Sequence, residues 1–141
     1  MSRPSCLLLC ILVTLLAPPR VASAAWPSDP AVNLPLCAAP GDQYYQVAAS
    51  DGAGGAVVAW VDHRSGGYTH IYAQRVDASG TPLWAEDGVA VCTAAGDQQY
   101  PVIAPDGAGG AIVAWFDFRN GWGDVYAQRI AADGTPQWAE N

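Results

Sequence analysis

The segment DGAGGAVVAW at Asp51–Trp60 returns as DGAGGAIVAW at Asp106–Trp115, 55 residues later (115 − 60). A chain that spells one segment twice at such a period builds one structural unit twice. Each unit buries its apolar face only against a neighbour. The match extends in both directions. CAAPGDQYYQVAASDGAGGAVVAWVDHR, from Cys37, meets CTAAGDQQYPVIAPDGAGGAIVAWFDFR, from Cys92. YAQRVDASGTPLWAED, from Tyr72, meets YAQRIAADGTPQWAEN, from Tyr126. Only the loop after the arginine changes length, Ser65–His70 against Asn120–Asp124.

Tight turns punctuate the unit. Asp51-Gly52, Asp106-Gly107, Gly66-Gly67, Asn120-Gly121, Ser79-Gly80 and Asp133-Gly134 are turn dipeptides. Between them lie YQVAAS, AVVAWVDH, HIYAQRVD and GVAVC, short runs with strand composition. No window has helical apolar spacing over ten or more residues. AVVAWV and AIVAWF are apolar on both sides of the pleat, which predicts strands covered on both faces. A repeated four-stranded sheet with neighbours on both faces is a β-propeller blade. A two-sheet sandwich is the rival, and it expects one solvent-facing side per strand. The expected fold is all-β, two four-stranded β-propeller blades forming a partial propeller. Blade 1 is expected over 25–80, with an outer strand near 32–38 ahead of its other three. Blade 2 is expected over 81–141, with its outer strand near 88–93. In the hairpin, Asp51 and Asp106 are expected to bind the turn's own amides. Trp60 and Trp115 are expected to fill the gap between blades.

The order YPVIAPDG, AIVAWFDFRNG, DVYAQRIAADGTPQW resembles the TolB-like (PD40, WD40-like) propeller repeat. In that repeat a Pro-Asp-Gly turn joins the innermost strand to the second, and an Asp-Ile-Tyr-like segment starts the third. Arrays of such blades occur in large secreted bacterial proteins. The first copy departs from the pattern at Ser50 and His70. SDGAGG is loosely similar to the Asp-box of sialidases, with a longer spacing to Trp60.

Residues 1–24, MSRPSCLLLCILVTLLAPPRVASA, have the form of a secretory signal: Arg3, an apolar run from Cys6 to Ala17, then Ala22-Ser23-Ala24. The run is too short for a mature membrane span. Secretion is therefore expected, extracellular or periplasmic, with no membrane association once the signal is removed. Beyond residue 24 the basic residues are Arg64, Arg75, Arg119 and Arg129, against 13 acidic ones, and the chain has no lysine. That balance offers no basic footprint for nucleic acid or an anionic membrane. Cys37 and Cys92 take equivalent places in the two copies. Packed sheets lie about 10 Å apart and a disulfide needs Cα atoms within about 7 Å, so the two are expected to stay unbonded.

Asp62/Arg64 and Asp117/Arg119 recur at the end of the second strand, on the side of Trp60 and Trp115. Acid–base work or ligand clamping is one role. A structural ion pair closing the strand is the other, and the one expected of a pair stamped on every blade. Unique chemistry is expected where the copies differ, in HRSGGYTH and FRNGWGD. Tyr68 and Trp122 there suit stacking on a sugar ring, or folding onto the blade edge. His63 and His70 suit a metal, but no third ligand is evident. Asp124 and Asn120 suit calcium, without the acidic ladder of an EF-hand loop. The ligand-binding candidates are thus Tyr68, Trp122, His63, His70 and Asp124, with no metal site, cofactor or catalytic residue assigned.

The function expected is a secreted, non-enzymatic propeller module that serves as a scaffold or binds protein or glycan. Two blades leave apolar faces uncovered, so the chain is expected either to form a homo-oligomeric ring or to belong to a longer repeat array. The alternative is a fragment of a sialidase-like propeller glycoside hydrolase. That would need an unpartnered carboxylate pair about 5–10 Å apart.

Overall fold

The computed structural model describes Asp29 and residues 31–139; the segment read as a secretory signal, 1–24, lies outside them. Among the described residues the fold is all-β, with no helix. Four strands form the first sheet: β1 (Gln43–Ser50), β2 (Ala56–Asp62), β3 (His70–Val76) and β4 (Val89–Cys92). Three form the second: β5 (Gln98–Pro105), β6 (Ala111–Asp117) and β7 (Asp124–Ile130). Both are antiparallel meanders, ordered β1-β2-β3-β4 and β5-β6-β7.

Two strand expectations are corrected. The strand near 88–93 forms, but it pairs with β3 and completes the first sheet rather than opening the second. The connector explains why. Pro82 bridges back to Val76 and Leu83 N–H donates to Arg75 O, so the chain re-enters beside the free edge of β3. Sequential strands pair or neighbour one another about two-thirds of the time. Residues 32–38 form no strand. Among the described residues they pair with no strand, and Leu34 and Leu36 lie beside Ala56, Val58 and Val76.

The sheets stack through unlike faces. Register places Val57, Ala59 and Val61 of β2 on one face with Ala73 and Ile71 of β3, and all five are 0% exposed. They form one cluster with Ala111, Val113, Trp115 and Ile130 of the second sheet. In the second repeat those four lie on the face opposite to the one that corresponds to Val57, Ala59 and Val61. The packing is therefore head to tail. Trp115 lies in this inter-sheet core. Trp60 is buried on the far face of the first sheet, so close to Gly88 that a Cβ there would strike its ring.

Candidate functional site

The strand ends carry one polar cluster per repeat. Asp62 ends β2, and its side chain is 0% exposed. Arg64 grips it with both arms, Nε to Oδ1 at 2.8 Å and Nη2 to Oδ2 at 2.7 Å. Trp60 Nε1 donates to Oδ2 at 2.8 Å, and the Arg64 amide to Oδ1 at 2.8 Å. The guanidinium lies 3.8 Å over the Tyr72 ring and donates to Asp87 O. The second repeat builds the same cluster. Arg119 reaches Asp117 at 2.8 and 2.6 Å, Trp115 Nε1 donates at 3.0 Å, and Tyr126 lies under the guanidinium at 4.0 Å.

Burial by itself pushes both carboxyls up, but the arginine and tryptophan hydrogen bonds outweigh it. Asp62 is held below the usual carboxylate range and Asp117 is held down at about 2. A carboxylate so placed is far from the pKa that a general base needs near neutral pH. Cys37 and Cys92 are free thiols against Arg64 and Arg119, at 3.3 and 3.4 Å. Burial pushes both thiols up, so they stay protonated at neutral pH.

The hairpin aspartates do two jobs. Asp51 Oδ1 accepts from the amides of Ala53 and Gly55, both at 2.8 Å, and Asp106 does the same for Ala108 and Gly110. The loop lies so close to the next strand that a Cβ on Gly55 would run into Val76 O. The second job was not read from the sequence. Asp51 Oδ2 pairs with Arg75 at 2.9 Å, and Asp106 with Arg129 at 3.0 Å. Arg75 Nη1 also donates to Ala132 O across the two repeats. All four arginines of the described residues thus sit in ion pairs.

The loops that differ are exposed. Tyr68 is 54% exposed and Trp122 80%. Ser65 Oγ–H donates to Tyr68 O, and Asn120 Nδ2 donates to Asp124 at 3.3 Å. His63 and His70 are engaged separately: His63 Nε2 with Gly67 O, His70 Nδ1 with Gln98 Oε1, each at 2.9 Å. Among the described residues no three His, Cys, Asp or Glu groups converge as metal ligands. These loops do meet the ones that enter the first strand of each sheet. The amides of His63 and Phe118 donate to Asp42 O and Asp97 O. No aromatic pairing joins Tyr68 to Trp122 among the described residues.

The structure also exposes aromatics outside those loops. Tyr45 and Tyr100 sit at matching bulges of β1 and β5 with φ of 54° and 55°, a strained region for a bulky residue. Their ring centroids lie 5.1 Å apart with the planes tilted by 38°, and Phe116 meets Tyr100 edge-on at 6.4 Å. A Cβ on Gly123 would touch Phe116 and Phe118, so the row ends at the Trp122 loop. The only sequence signal is a tyrosine at the same place in QYYQ and QQYP. Comparison of the chain with protein-family models, with curated proteins and with solved structures returns no match.

Proposed function

We propose that the chain is a secreted, non-enzymatic β-propeller repeat module of the TolB-like (PD40) kind. It serves as a scaffold or binds protein or glycan, within a longer array or a ring of copies. What supports this most is where like and unlike residues fall. The buried Asp–Arg–Trp cluster is the same in both repeats and fully hydrogen-bonded, as a structural clamp would be. The loops that differ in length and sequence carry Tyr68 and Trp122 at the surface. Exposed aromatics of this type supply contact area at low entropic cost. With every described arginine already paired to a carboxylate, the hydrolase alternative gains no support. The test is glycan-array and pull-down binding of wild type against the Tyr68→Ala/Trp122→Ala double variant. Loss of binding at an unchanged melting temperature is expected. Binding that survives would contradict the loop assignment, and turnover of an aryl glycoside would revive the hydrolase.

A further inference from the structure

We infer that the bare face and open edge of the second sheet dock the front of a second copy of this chain, head to tail, as the first sheet docks the second within one copy. This rests on the repeat-module function proposed above and names the partner and the residues. Matched positions carry it. Val61 and Ile71 are 0% exposed; their counterparts Phe116 and Val125 are 44% and 73% exposed. Trp84 is 9% exposed and its Nε1 donates to Ala132 O; Trp138, its counterpart, is 46% exposed. The outer edge of β3 is paired with β4. Among the described residues no strand pairs with the outer edge of β7.

The complementary half is present at the other end of the same chain. What covers the first sheet is Ala111, Val113, Trp115 and Ile130, together with strand β4. The counterparts of the four are Ala56, Val58, Trp60 and Val76, and the counterpart of β4 is Leu34–Cys37. The last residue of that segment is already seated as the last residue of β4 is. Cys37 lies against Arg64 at 3.3 Å as Cys92 lies against Arg119 at 3.4 Å. An apolar depression of about 330 Å³ opens between Leu34, Leu36, Ala56, Val58 and Val76. The corresponding region of the second sheet is filled by the buried face of the first.

The internal register then sets the external one. Cys92 pairs with Ile71 and Val89 with Ala73, so Cys37 of one copy meets Val125 of the other, and Leu34 meets Ala127. Pro35 is compatible because the added strand is the outermost one. Trp138 Nε1 would reach Ala78 O as Trp84 reaches Ala132 O. Head-to-tail contacts either close into rings or run on as filaments. Propeller-like stacks close at about four to eight sheets, here roughly two to four copies.

Two cysteine variants of the full chain test this under mild oxidant, read on non-reducing gels. Val125→Cys is expected to link to Cys37 of another copy and move most of the chain to twice its mass or more. Cys37→Ala in the same background should abolish the link, as should moving the new thiol to exposed Asp133. Ile71→Cys reports the internal equivalent through an intramolecular bond to Cys92. If Ile71→Cys links while Val125→Cys stays monomeric, self-docking is overturned, the repeat stacking stands, and the face belongs to some other occupant such as a further repeat. If neither links in a sample whose circular dichroism is wild type, the strand pairing itself fails and takes self-docking with it. Phe116→Arg, at an exposed position, should turn wild-type oligomers into monomers, and oligomers that persist would equally overturn the proposal.

Discussion

Val61 and Phe116 hold the same place in their repeats, yet one is 0% exposed and the other 44%. The local design around them is alike: the same hairpin, the same register to the third strand, the same Asp–Arg–Trp cluster. What differs is the neighbour. Burial in this molecule is therefore set by stacking rather than by the repeat's own residues, and the two sheets should respond alike to local damage and unlike to facial damage.

The largest expected contrast is facial. Ile71→Ala removes a fully buried side chain and should cost about 3–4 kcal/mol. Val125→Ala, its counterpart, should cost less than about 0.5 kcal/mol when measured in dilute monomer. Urea midpoints of the two variants give the comparison, and equal losses would break it.

Next in size is a pair that should not differ. Asp62→Ala and Asp117→Ala each strand an arginine and a tryptophan N–H. Breaking a buried pair costs about 3–5 kcal/mol, and partial exposure of the arginines, 21% and 15%, trims this to about 2–3. The two losses should agree within about 1 kcal/mol in the same assay; a larger gap would mean that stacking reaches the clusters too.

Acid should reveal the same cluster. Asp117 falls from 3.8 to about 2 on folding. A depressed carboxylate contributes stability that is fully present above the unfolded value and fades as pH drops through the folded one. At 1.36 kcal/mol per unit this is about 2 kcal/mol, lost between about pH 4 and pH 2. Thermal melts across that window should flatten in Asp117→Asn, and an unchanged slope would count against the clamp.

The smallest contrast lies in the connectors. Trp84→Phe removes the hydrogen bond to Ala132 O and should cost about 1 kcal/mol. Trp138→Phe should be close to neutral in dilute monomer, and a matching loss there would erase the distinction.

Much of this was legible in the sequence. Short runs rich in Val, Ile, Trp and Tyr between Asp-Gly and Gly-Gly turns located β1–β3, and the repeat carried them to β5–β7. Apolar character on both sides of AVVAWV anticipated the burial of β2 on both faces, but the same reading of AIVAWF does not hold at Phe116, which is 44% exposed. The partner of GVAVC was not legible, because an outer strand takes whichever edge is free, and only the connector through Pro82 and Leu83 decides. The bulges at Tyr45 and Tyr100 were not legible either, since φ of 54° and 55° is imposed by the ladder pairing before and after each bulge rather than by a residue that favours it. Nor did the sequence say that Arg75 and Arg129 return to the hairpin aspartates 24 and 23 residues away.

Light scattering coupled to size exclusion tests most directly the claim that the second sheet needs the cover the first one has. The account predicts a wild-type mass of about two to four chains that falls to one chain in Phe116→Arg, with the β-sheet circular dichroism unchanged. A monodisperse wild-type monomer that melts cooperatively, with its Phe116 face bare, would contradict it.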